Sequence, residues 1–91
     1  MIQQKEFAKR RKHFIQMLGK SNMAVLPGAS IIHRNSDVEF PFRQESSFYY
    51  LTGFDEPDAV AVFIPGRAQG EYILFCKESD AALGWKQYRA R

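Results

Sequence analysis

Two apolar runs, Ala59-Val60-Ala61-Val62-Phe63-Ile64 and Tyr72-Ile73-Leu74-Phe75-Cys76, stand on either side of the short segment Pro65 to Gly70. A crossover between parallel strands needs about a dozen residues or more, so this segment is too short for one. The pair is expected to fold as an antiparallel hairpin, with Pro65-Gly66 opening the turn and Gly70 closing it. The first run is apolar at every position rather than alternating, which predicts a central strand covered on both faces.

The rest of the chain must supply layers for that sheet. Residues 4–18 read as an amphipathic helix: Phe7, Phe14 and Leu18 fall in one stripe flanked by Ile15 and Met17, with Lys5, Lys9, Lys12 and Gln16 opposite. Gly19 is the expected stop. Met23-Ala24-Val25-Leu26, closed by Pro27-Gly28, reads as a buried strand, and Ala29 to Arg34 as a second candidate strand. Residues 35–47 are polar and turn-rich and read as an ordered loop. Ser46-Ser47 are placed to cap a short helical turn through Phe48-Tyr49-Tyr50-Leu51, which Thr52-Gly53 ends. Beyond the hairpin, Ser79-Asp80 are placed to cap a last helix running through Ala81, Ala82 and Leu83. The fold class is therefore α/β, a mixed β-sheet with flanking helices. With 91 residues, a lone copy buries only about 60–65% of its extended surface and is marginal, so the layer pattern reads as incomplete.

Charge and cysteine usage narrow the function classes. The net charge of +3 is uneven: Lys5, Lys9, Arg10, Arg11, Lys12 and Lys20 face the lone acid Glu6 early in the chain. Such a cluster can serve nucleic acid, but its helical spacing fits a solvated helix face. Cys76, the one cysteine, has no partner for an internal disulfide and reads as a small buried hydrophobe at a strand end. The start is polar with no apolar signal region, and no run reaches the roughly 18–20 apolar residues of a membrane span. The cytoplasm is the expected compartment.

Catalytic patterns are sparse. His13 and His33 are far apart, and neither has a second ligand at metal-binding spacing. There is no HExxH, CxxC, GxGxxG, Walker or GxSxG pattern. Asp55, Glu56 and Asp58 cluster around Pro57, which is turn chemistry before it is an acid pair. On residue chemistry alone this is an α/β domain without a visible active site, and no catalytic or metal-ligating residue is assigned.

The segment Phe40-Pro41-Phe42-Arg43-Gln44-Glu45-Ser46-Ser47-Phe48-Tyr49-Tyr50-Leu51-Thr52-Gly53-Phe54-Asp55-Glu56-Pro57 resembles the N-terminal domain of Xaa-Pro aminopeptidases (aminopeptidase P). The similarity extends to the basic helix before it and the strand and hairpin after it. It implies that residues 1–91 are a partial N-terminal domain of a two-domain enzyme that removes an N-terminal residue ahead of proline. In that family the catalytic domain is C-terminal, of pita-bread fold, and holds two metal ions, usually manganese. The resemblance places none of those ligands in this chain, so manganese is implied for the full enzyme and no cofactor here. The chain alone is expected to be inactive, because a metal-bound hydroxide cannot form without ligands for the metal.

The resemblance implies one contact residue. Asp80-Ala81-Ala82-Leu83-Gly84-Trp85 is similar to a family segment whose tryptophan looks towards a neighbouring subunit's active site, so Trp85 is a candidate substrate or inter-subunit contact; the plain alternative is packing on a helix surface. The aromatic residues Phe48, Tyr49, Tyr50 and Phe54 serve either to anchor their loop in the core or to meet a catalytic domain or sister subunit of a homo-oligomer. The alternative from another class is a free-standing module that binds protein or, less in keeping with the motifs, nucleic acid.

Overall fold

The computed structural model describes residues 3–30, 42–77 and 85–88, the last stretch as backbone. The element order is α1 (Gln4–Leu18), β1 (Ala24–Pro27), α2 (Ser46–Thr52), β2 (Ala59–Phe63), β3 (Tyr72–Lys77) and β4 (Trp85–Tyr88). The strands form one sheet in the order β1-β2-β3-β4. Every pairing among the described strands is antiparallel, so a parallel component of the expected mixed sheet is not among them.

The hairpin forms as its short connection requires. Val62 stands opposite Ile73 and Phe63 opposite Tyr72. Glu71 closes the turn twice: its carbonyl accepts from the Ile64 N–H at 2.8 Å and its carboxylate from the Gly66 N–H at 2.7 Å. On β2, Ala59, Ala61 and Phe63 are buried, whereas Val60 and Val62 are only half-buried. The expectation of a strand covered on both faces therefore holds on one face. The described helices pack on that side: α2 sends in Phe48 and Leu51, and α1 lays Phe14, Ile15 and Leu18 against them. Phe63 centres this core, edge-on to Phe14 at 5.0 Å and stacked with Tyr72 at 5.2 Å. Cys76 is buried in the same cluster, as a small strand hydrophobe should be.

Two boundaries differ from the sequence reading. The cap of α2 is Glu45 rather than a serine: its carboxylate accepts from the Phe48 N–H at 2.9 Å, and Ser46 and Ser47 are already helical. A carboxylate there satisfies an orphan donor and sits at the positive end of the helix dipole. Trp85–Tyr88 is a strand, where a continued helix was expected. It pairs along β3, with Trp85 opposite Lys77 and Tyr88 opposite Leu74. Four residues past a glycine gain little as a helix, while β3 offers a row of backbone partners to whatever lies beside it. The proposed helical start at 79–83 lies outside the described residues. Ala29 and Ser30 are not strand, and the remainder of that candidate, with residues 35–41 of the loop, also lies outside.

Candidate functional site

Helix α2 is short, and its last carbonyls need partners that the helix itself cannot provide. The Thr52 hydroxyl donates to the Phe48 carbonyl at 2.8 Å, and the Gly53 N–H to that of Tyr49 at 2.8 Å. The next two carbonyls are met by neighbouring arginines of α1. Arg10 Nη1 donates to the Tyr50 carbonyl at 3.2 Å, and Arg11 Nη1 to that of Leu51 at 3.0 Å. Two cations thus close the negative end of the α2 dipole. Gly53 makes the approach possible: it adopts φ 65°, and a Cβ there would lie 2.6 Å from the Phe7 ring.

The two arginines share a task but not an environment. Arg11 is 8% exposed and sits over the Tyr72 ring at 4.4 Å. Burial pushes its guanidinium below the ordinary value, and the charge interaction with Tyr72 opposes that shift. An arginine side chain is not deprotonated in proteins near neutrality. The cost of burying the charge is therefore constant across the working pH range and adds no pH dependence there. Arg10 lies further out, over the Tyr50 ring at 4.2 Å and 3.4 Å from Glu6 one turn earlier. Sequence periodicity assigned Lys5, Lys9 and Lys12 to a solvated face, and all three are exposed. Arg10 and Arg11, which the general reading of the basic cluster as a solvated face includes, instead grip α2.

A second anchor is Gln44. Its Oε1 accepts from the N–H groups of Ala29 at 2.8 Å and Glu45 at 3.1 Å. Its Nε2 donates to the carbonyls of Phe54 and Glu56, each at 2.9 Å. One amide side chain thereby fixes the entry to α2, the exit from it and the segment after β1. Nothing in the composition marked this role; only its place in the aromatic segment did.

Around this frame the candidate residues separate. Phe48 is 0% exposed and belongs to the core, so it offers no surface within the chain. Phe54 is half-buried against the same core. Tyr49 and Tyr50 remain outside, 37% and 55% exposed, with Tyr49 edge-on to Phe7 at 5.7 Å. The aromatic run alternates between anchoring and display because α2 has an inside and an outside. Trp85 lies on β4, at the opposite end of the described strand order from β1, rather than on a helix. Asp55 and Glu56 are exposed in the bend before β2, and Asp58 holds φ 59° there while donating its N–H to the Ala29 carbonyl at 2.9 Å. Among the described residues no three His, Cys, Asp or Glu side chains come together to hold a metal ion. The donors present do not fit the metal pair that the family resemblance implies, and no catalytic step is assigned to them. No helix among them is long and apolar enough to cross a membrane.

The fold as a whole is similar to that of known proteins. Residues 7–89 match the family model described as the aminopeptidase P, N-terminal domain. The chain belongs to that family. It is 40% identical over 80 residues to the Xaa-Pro aminopeptidase of Escherichia coli K12, covering 87% of this chain and 18% of the relative. The Xaa-Pro aminopeptidase of Haemophilus influenzae is 32% identical over 82 residues, covering 90% and 19% respectively. Among solved structures, Pseudomonas aeruginosa aminopeptidase PepP superposes with TM-score 0.78 at 50% identity, and zinc-substituted E. coli aminopeptidase P in complex with product with TM-score 0.74 at 34%. Each of these two alignments covers 90% of this chain and 19% of the other. The chain thus spans about a fifth of the length of the enzymes it matches.

Proposed function

We propose that residues 1–91 are the front part of the non-catalytic N-terminal domain of a Xaa-Pro aminopeptidase, and that they serve assembly and substrate access. The parent activity in this reading is manganese-dependent release of the N-terminal residue from peptides with proline second, carried out in the cytoplasm by a homo-oligomer. The catalytic domain and its two metal ions lie outside this chain. The observation that carries the reading is the family match over residues 7–89.

The sheet adds support. Its face away from α1 and α2 carries the half-buried Val60, Val62 and Phe75, and Val25 on β1 is exposed. Such an apolar face fits a further layer supplied by the same protein. In this reading Tyr49 and Tyr50 meet a catalytic domain or sister subunit, which their exposure supports, while Phe48 is buried in the core. Trp85, on a strand at the edge of the described sheet, is the proposed contact to substrate or to a neighbouring active site.

The test is a graft. Replacing the corresponding first fifth of the P. aeruginosa enzyme with this chain should preserve Xaa-Pro hydrolysis with manganese. The purified chain alone should release nothing under the same conditions. A folded chimera without activity, or turnover by the isolated chain, would overturn the proposal.

A further inference from the structure

A groove of about 1100 Å³ runs between α1 and α2. Phe14 and Leu51, which also belong to or pack on the core, close its floor. Tyr50 and Met17 stand at its sides, 55% and 76% exposed. Its rim is basic: Lys9, Lys12 and His13 are all exposed on α1, and among the described residues neither lysine has an ion-pair partner. The one acid lining it, Glu6, is already paired with Arg10.

From this juxtaposition of apolar floor and cationic rim we infer that the α1–α2 groove is a docking site for an amphipathic helix of a partner protein, apolar on one side and edged with glutamate or aspartate. The lining residues of α1 run from Glu6 to Met17, about 16 Å at 1.5 Å per residue, which accommodates about three helical turns. Anchors at i, i+3 or i+4, and i+7 would meet the floor, and acids beside them would meet the lysines. An exposed methionine suits such a site because its flexible thioether adapts to the partner's side chains. Charge complementarity decides between macromolecules. An acidic peptide satisfies rim and floor together, whereas a nucleic acid uses only the rim. The Tyr50 face that could stack a base is already covered by Arg10 at 4.2 Å. The inference needs only α1 and α2, and because Tyr50 lines the groove, the acidic helix is a form in which the domain or subunit proposed to meet Tyr50 would bind there.

The probe is a fluorescein-labelled synthetic helix with leucine and phenylalanine on one face and glutamate flanking them, with a second in which lysine replaces every glutamate. Anisotropy with the intact chain should show binding of the glutamate helix, at least about tenfold tighter than the lysine helix and weakening as salt is raised. The double variant Lys9→Glu/Lys12→Glu, altered only at exposed positions, should reverse that preference. Equal binding of the two helices, no binding of either, or tighter binding of a single-stranded oligonucleotide would overturn the inference. The unaltered chain with the two helices decides the matter even if the variant misfolds.

Discussion

The hairpin of β2 and β3 and the seam between α1 and α2 are held by different physics. The hairpin is an apolar construction: Phe63, Leu74 and Cys76 are buried together, and the backbone pairing follows from a connection too short for any other topology. The seam is a polar construction over a small apolar patch, in which two guanidinium groups complete the carbonyls that α2 leaves open. Burial of apolar area is diffuse and tolerates repacking. A buried hydrogen bond is local, and its loss strands a partner. The two regions should therefore fail differently.

The largest effect is expected in the hairpin. Phe63→Ala removes the ring that Phe14 and Tyr72 both touch and leaves a cavity in a small core. A loss of about 3–5 kcal/mol is expected, enough to unfold a marginal domain. Circular dichroism in a urea titration measures it, and a midpoint unchanged from the parent would show that the core does not hinge on this strand.

The contrast also explains which parts were legible in the sequence. Periodicity carried α1 to its observed limits, Gln4–Leu18, and Gly19 ended it as expected. The hairpin followed from spacing. At 100° per residue Arg11 falls about 40° from Phe7, on the apolar side, but the reading of the whole basic cluster as a solvated face passed over it, because charge alone does not show a long cation whose stem packs while its head bonds. Gln44 was equally opaque, because its four bonds go to backbone groups brought together only by the fold. The helical placement of Trp85 failed for the opposite reason: local capping signals pointed to a helix, while the pairing along β3 was a tertiary fact. The aromatic run was legible as a group, but its division into core and surface depended on where α2 began, and that was set by Glu45.

Within the seam, the next effect is steric. Gly53→Ala places a methyl group 2.6 Å from the Phe7 ring and forces a non-glycine residue to hold φ 65°. Left-handed backbone costs about 1–2 kcal/mol and the clash adds a similar amount, so a loss of about 3 kcal/mol is expected. The loss should shrink when Phe7→Leu is added, because the smaller side chain relieves the contact. A double-mutant cycle by urea unfolding reads that coupling, and strict additivity would mean that Gly53 is needed for its dihedral angles alone.

The seam's polar character is tested more sharply by Arg11→Leu. The leucine fills part of the volume but leaves the Leu51 carbonyl without its donor and removes the cation over Tyr72. About 2 kcal/mol should be lost. Arg11→Lys should recover only part of it, because an ammonium is a compact charge without the planar fork that both bonds the carbonyl and lies over the ring. Because arginine keeps its charge in folded and unfolded chains alike, the loss should be the same at acid and neutral pH.

The smallest effect belongs to the adjacent residue. Arg10 makes the same kind of bond to the Tyr50 carbonyl, yet that bond is exposed and water can replace it. Its pairing with Glu6 is a single helical turn apart at the surface, worth a few tenths of a kcal/mol and screened by salt. Arg10→Leu is therefore expected to cost about 0.5–1 kcal/mol, with the contact to the Tyr50 ring accounting for part. The difference between the two variants should widen slightly as salt is raised, because only the Arg10 part is screened. Equal losses for Arg10→Leu and Arg11→Leu would mean that the seam is held by charge at the end of α2, wherever that charge sits. A larger loss for Arg11→Leu means that it is held by one desolvated hydrogen bond.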